Sequence, residues 1–157
     1  MHVRRWDYLR SMNQWKTVGI VGAGTMGSGV AQIAAEAGCE VVLVDAQQKA
    51  LERSKDELAR VMDRLVERGR RTAEEAAATQ GRIRRTTDLV DVKGCDLVIE
   101  AIVEQLQAKS ELFKALEAIL SKEAVLATNT SSLSVTALAK AFDHPNRVLG
   151  LHFFNPA

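Results

Sequence analysis

The sequence predicts an α/β protein built on a doubly wound parallel sheet, with a pair of helices inserted between two of its strands. Three observations carry that expectation. From Thr17 onward, short β-branched runs alternate with longer helical patterns, the rhythm of strands joined by crossover helices. The runs are apolar almost throughout rather than at every second residue, as in strands buried on both faces. Between Gln47 and Gly81 two helical patterns follow one another with no strand signal between them, which marks the inserted pair.

The first strand is TVGIVG, bounded by glycine. A small-residue helix follows from about Thr25 to Ala37 and stops at Gly38. EVVLVD, Glu40 to Asp45, is the second strand. Gln47 to Gly69 forms one helical pattern with Leu51, Leu58, Val61, Leu65 and Val66 on a face. Thr72, with Glu75 three residues on, offers a capping box for the next helix, which stops near Gly81. The two helices are expected to pack as an antiparallel pair. RIRRTTD holds a short third strand, and DLVIEAIV, Asp96 to Val103, is the fourth. A helix from about Leu106 to Leu120 leads to the fifth strand, AVLATN, Ala124 to Asn129. Ser134 to Phe142 is a short helix with Val135, Leu138, Ala139 and Phe142 on one face. VLGLHFF is the sixth strand. Residues 1–15 show no period, no apolar core and no signal-peptide h-region. They read as an extension ahead of a single domain over residues 16–157.

Composition narrows the function. The chain of 157 residues has a single-domain length, enough to bury roughly 70% of the surface its unfolded form exposes. A formal charge of +1 gives no footprint for nucleic acid or a membrane surface. No apolar run approaches the ~18 residues that would span a bilayer. Cys39 and Cys95 form no CxxC, and each precedes an apolar run. Both are expected as small buried hydrophobes in a reducing, cytoplasmic setting. No metal site is expected.

In a parallel sheet of this kind ligands lie beyond the carboxyl ends of the strands. After strand one comes Gly22-Ala23-Gly24-Thr25-Met26-Gly27, a G-x-G-x-x-G with a strand before it and a helix after it. The first glycine allows the tight turn, the second lets a pyrophosphate approach the backbone, and the third lets helix and strand pack closely. Asp45 closes strand two, where a carboxylate accepts hydrogen bonds from ribose hydroxyls and repels an added phosphate. NAD is therefore expected over NADP. Glu100 and Glu104, after strand four, read from spacing alone as solvated charges. Asn129-Thr130-Ser131-Ser132, after strand five, reads as turn and cap residues. His152 follows strand six, and a lone histidine is more often packed than catalytic. Convergence raises its standing, because polar groups at the ends of strands one, two, four, five and six would meet around one crevice.

VGIVGAGTMGSGVAQIAAEAG, DLVIEAIVE, ATNTSSLSVTALA and GLHFFNPA, taken together and in this order, resemble the L-3-hydroxyacyl-CoA dehydrogenases. The resemblance runs from about Lys16 to the last residue; the glycine motif alone would not carry it. It implies a Rossmann domain in which His152 is the catalytic base, taking the proton of a substrate 3-hydroxyl as hydride passes from C3 to the nicotinamide of NAD. Ser131 and Asn155 are similar to the residues that hold the reacting oxygen and tune the site. Glu104, Lys109, Asn129 and Ser131 match positions lining the cofactor, with Ala101 and Ile102 on its adenosine side. The implied substrate is an acyl-CoA, its tail near the helical pair. Arg60, Arg64 and Arg68 recur every four residues and share a face that could meet CoA phosphates. A solvated face interleaved with Asp63 and Glu67 is the equal alternative. Val61 stands where relatives carry a serine, so that contact is absent here.

The resemblance also implies a glutamate partner for the base, several residues beyond H-F-F-N-P. It implies an all-helical second domain that closes over the acyl chain and builds a homodimer. Neither falls within these residues, so the chain is expected to be a truncated or proteolysed form, or a separately cloned domain, that binds NAD and turns over poorly alone. An apolar patch around Phe153 and Phe154 is expected to be exposed and to favour self-association. Two other readings stay open: a related gulonate-type hydroxy-acid dehydrogenase, and a dinucleotide-binding module with no activity of its own.

Overall fold

A strand that is apolar on both faces needs hydrogen-bonded neighbours on its edges and helices above and below, and the fold supplies both. The computed structural model describes residues 15–140 and 142–153. The expectations placed on residues 1–14, on Phe154 and on Asn155 lie outside the described residues. The strands are β1 (Thr17–Val21), β2 (Glu40–Val44), β3 (Ile83–Thr86), β4 (Leu97–Glu100), β5 (Val125–Thr128) and β6 (Val148–Gly150). They form one sheet of order β3-β2-β1-β4-β5-β6. Every pairing is parallel. The helices are α1 (Thr25–Glu36), α2 (Gln48–Glu67), α3 (Ala73–Gly81), α4 (Leu106–Ile119) and α5 (Val135–Ala139).

Alternate residues of the central strands feed two cores. Ile20, Leu43 and Ile99 pack under α1, α2 and α3 with Leu51, Leu58 and Met62. Val42, Val98 and Leu126 pack under α4 and α5 with Phe113, Leu116 and Leu138. The inserted helices pack against each other, and α3 opens with both bonds of the Thr72–Glu75 capping box. A short 3-10 helix, Leu89–Val92, had no signal in the sequence; Asp88 caps it and Val92 packs into the second core. No helix among the described residues is long and apolar enough to cross a membrane.

Several expected elements are shorter in the structure, for one physical reason. Strand ladders stop where a neighbour turns away. β4 ends at Glu100 rather than Val103, because β1 has already turned at Gly22 and Ala101 donates the last rung to the Val21 carbonyl at 2.8 Å. β6 ends at Gly150 rather than Phe154 because β5 stops at Thr128. Trp15, grouped with the extension on sequence grounds, packs against the first core, and its carbonyl accepts from the Cys39 thiol. Cys39 is half-buried rather than buried, while Cys95 is buried. Phe153 is half-buried against the first core rather than exposed.

Candidate functional site

The chain order reverses between β1 and β4, and a crevice opens past the carboxyl ends of those strands. Two clefts, of about 480 and 340 Å³, share a ridge made by Ala101 and Ile102. The larger is lined by Gly22, Gly24, Val44, Asp45, Leu89 and Leu112, among others. Its mouth is the glycine turn. Gly22 has φ +108°, and a Cβ there would stand 2.6 Å from the Ala101 carbonyl oxygen. Gly27 brings α1 onto the turn; a Cβ there would stand 1.8 Å from the Gly22 carbonyl oxygen.

Gly24 differs from both. Its φ of −71° and ψ of −174° suit any residue, and a Cβ there would meet nothing within 4 Å among the described residues. The fold does not require a glycine at this point, whereas a ligand lying against the backbone would. α1 begins immediately after it, with no side-chain cap and no acidic residue in its first turn. The first N–H groups of the helix and its positive end are therefore left to attract an anion. Asp45 Oδ2 accepts from the Ala23 N–H at 2.8 Å and Oδ1 from the Gln47 N–H at 2.8 Å. Its remaining lone pairs can accept from a ribose diol. Open backbone, uncapped helix and oriented carboxylate fit a dinucleotide.

The smaller cleft is lined by Met26, Glu104, Asn129, Ser131, His152 and Phe153 beside the shared ridge. His152 is exposed at its wall. The sequence candidates thus divide in a sensible way. Gly22, Gly24 and Asp45 border one cleft, and Met26, Glu104, Asn129, Ser131 and His152 the other. Thr25 and Gly27 stand in the first turn of α1. Arg60, Arg64 and Arg68 are exposed, and no residue of α2 lines either cleft. The structure does not bring them to the crevice.

Beneath the smaller cleft lies a charged network that spacing could not reveal. Glu100, read as a solvated charge, is 0% exposed, and Lys109, matched to a cofactor-lining position, is 1% exposed. Lys109 Nζ stands 2.5 Å from Glu100 Oε1 and 3.2 Å from Glu104 Oε2. The Thr128 hydroxyl donates to Glu100 Oε2 at 2.8 Å, and the Ile102 N–H to Oε1 at 2.8 Å. Lys109 therefore sits below the cleft wall and holds it through the two glutamates. Nor is Glu104 simply a solvated charge. Its Oε1 accepts from the Thr130 hydroxyl, from the Ser131 and Ser132 N–H groups, and from the Ser132 hydroxyl. Thr128, Thr130 and Ser132 were not among the sequence candidates. The readable clue was Lys109, which falls with Phe113 and Leu116 on the buried stripe of α4.

Burial pushes the Glu104 carboxyl up, but the hydrogen bonds from Thr130 and Ser132 and the Lys109 ammonium outweigh it and bring it down to about 2 from 4.5. The folded state thus prefers the ionised form. Its contribution is complete above pH ~4.5 and is lost as the pH falls toward ~2, because the unfolded chain takes up the proton first. The stability difference between the wild type and Glu104→Gln should accordingly shrink over that interval in chemical unfolding. A difference that stays constant from neutral pH to pH ~2 would contradict the assignment.

The fold and the cleft define a domain that binds a nicotinamide dinucleotide. Residues 17–157 match the family described as 3-hydroxyacyl-CoA dehydrogenase, NAD binding domain, and the chain belongs to that family. It is 47% identical over 138 residues to a probable 3-hydroxybutyryl-CoA dehydrogenase of Deinococcus radiodurans, covering 88% of this chain and 49% of that one. It is 36% identical to the fatty acid oxidation complex subunit alpha of Psychrobacter arcticus, over 96% of this chain and 21% of that one. The solved 3-hydroxybutyryl-CoA dehydrogenase of Escherichia coli K12 superposes with a TM-score of 0.90 at 43% identity, over 92% of this chain and 30% of that one. The chain spans about half the length, or less, of these relatives.

Proposed function

We propose that the chain is the NAD-binding part of an enzyme that oxidises the 3-hydroxyl of an L-3-hydroxyacyl-CoA to the 3-ketoacyl-CoA. The observation that carries this reading is the shared ridge. Ala101 and Ile102 divide the dinucleotide cleft from a second cleft where His152, Ser131 and Asn129 gather. When bound, NAD supplies a hydride acceptor at its nicotinamide ring. The His152 imidazole takes the proton of the alcohol as general base. The Ser131 hydroxyl donates to the reacting oxygen, a role it shares with Asn155. Asp45 holds the ribose and disfavours NADP. The exposed Arg60, Arg64 and Arg68 offer charge to the CoA phosphates.

We take residues 16–157 as the domain, with Trp15 packed onto it. The names of two relatives support a place in fatty-acid β-oxidation or butanoate metabolism; a cytoplasmic setting and, for the longer protein, a homodimer belong to the same proposal. Because the chain spans about half of its relatives or less, turnover by the chain alone is expected to be weak.

The test is NADH oxidation driven by acetoacetyl-CoA at high protein concentration. His152→Gln should lower the rate by roughly 10²–10⁴-fold and leave NADH binding in place. Equal rates in the two proteins would remove His152 from the chemistry. No turnover in either, with NADH still bound, would mean that the chain is the cofactor half of a dehydrogenase and needs more of its relatives' length for turnover, or that it is a dinucleotide-binding module without activity of its own.

A further inference from the structure

We propose that Asn129 is a positioning residue. Its side-chain carbonyl replaces the missing last rung of the β5–β6 ladder and so fixes the peptide that follows His152. The inference rests on the reading of His152 as the base, and it concerns how that base is held.

The register shows the gap that Asn129 fills. In a parallel pair, alternate N–H groups of one strand donate to the same neighbour. On β6 the last backbone rung is the Leu151 N–H, which donates to the Thr128 carbonyl at 2.9 Å. The next donor facing β5 is the Phe153 N–H, two residues on. β5 has no carbonyl left for it, because the chain turns away after Thr128 to deliver Thr130, Ser131 and Ser132 to Glu104. The Phe153 N–H donates instead to Asn129 Oδ1 at 2.8 Å. A backbone donor identifies the acceptor as the amide oxygen rather than the nitrogen.

The latch is anchored on its own side. The Asn129 N–H donates to the Glu100 carbonyl at 2.9 Å, and the Thr128 hydroxyl before it donates to the Glu100 carboxylate. Asn129 therefore transmits the position of β4 and the buried Glu100–Lys109 pair to the end of β6. On the far side the chain alternates. Leu151 and Phe153 are half-buried against the first core, while His152 between them is exposed at the cleft. Packing on one face and the amide on the edge together fix the peptide from which the imidazole projects. This matters because proton transfer needs heavy atoms at roughly 2.6–3.2 Å, and a displacement of about 1 Å costs on the order of 100-fold in rate.

The experiment uses the full chain loaded with NADH. Asn129→Leu keeps the bulk and removes the acceptor, whereas Asn129→Asp keeps the acceptor. Amide hydrogen exchange of Phe153 and the ring resonances of His152 are followed by NMR, alongside acetoacetyl-CoA turnover. Asn129→Leu should speed Phe153 exchange by roughly 10-fold, shift the His152 ring signals and lower turnover by at least about 10-fold. Asn129→Asp should keep the slow exchange. Wild-type exchange and ring signals in Asn129→Leu would overturn the proposal. Should Asn129→Leu fail to fold, exchange in Asn129→Asp that is as fast as in the open chain would overturn it equally. If His152→Gln turns over at the wild-type rate, the assignment of the base fails separately, and the exchange data still decide whether Asn129 holds the peptide.

Discussion

Lys109→Met should destabilise the chain by about 3–5 kcal/mol, the cost of stripping one partner from a buried ion pair. Glu100 lies at 0% exposure and Lys109 at 1%, so water cannot take over the lost contact. Methionine fills most of the volume and has a better helix propensity than most residues, so the loss is electrostatic rather than a cavity. Glu100 would keep the Thr128 hydroxyl and the Ile102 N–H but have no cation. The double variant Glu100→Gln/Lys109→Met removes both charges and should regain most of the stability, since neutral replacements of a buried pair are often tolerated. Urea unfolding of the three proteins decides the matter. A loss below about 1 kcal/mol in Lys109→Met would mean that the ammonium reaches solvent and the pair is not buried.

Gly27→Ala is the second large effect. The added methyl would stand 1.8 Å from the Gly22 carbonyl oxygen and 2.9 Å from its carbon. Both are backbone atoms of a turn whose own geometry is fixed, because a Cβ at Gly22 would itself meet Ala101. α1 must therefore move off the end of β1. Overpacking of this kind costs about 1–3 kcal/mol or more, and the displaced helix N-terminus should bind NADH at least roughly 10-fold more weakly. Thermal unfolding and an NADH titration report the two losses. A variant with the wild-type melting point and NADH affinity would show that helix and turn are not in contact.

How much of this is legible in the sequence follows from range along the chain. The glycine turn is local: strand, turn and helix lie within a few residues, and each residue type states its own requirement. The capping box of α3 was readable for the same reason. β4 was recognisable as a strand, but its end was not, because its last rung depends on where β1 turns. Glu100 and Thr128 become neighbours only through the β4–β5 register, which pairs them directly. No spacing rule connects residues 28 apart. Lys109 carried a partial signal, a charge on the apolar stripe of α4, and a charge placed there calls for a buried partner. Asn129 resembled a turn residue because turn and latch use the same side chain. Arg60, Arg64 and Arg68 show the reverse case, a clear helical spacing that the fold leaves away from both clefts.

The larger cleft is proposed for the dinucleotide on the strength of Gly24, the glycine of the motif that the fold itself does not need. Gly24→Asp separates the two requirements. Its backbone angles are allowed for any residue and its Cβ meets nothing. Aspartate is a favourable N-cap, worth up to about 1 kcal/mol to the helix. Its carboxylate would nevertheless occupy the space in front of the helix N-terminus, where like charge costs several kcal/mol. The decisive measurement is an NADH titration of Gly24→Asp beside the wild type, with melting curves of both. The melting point should be unchanged or slightly raised, and NADH affinity weaker by roughly 100-fold or more. NADH binding as tight as in the wild type would place the cofactor elsewhere and contradict the assignment of this cleft.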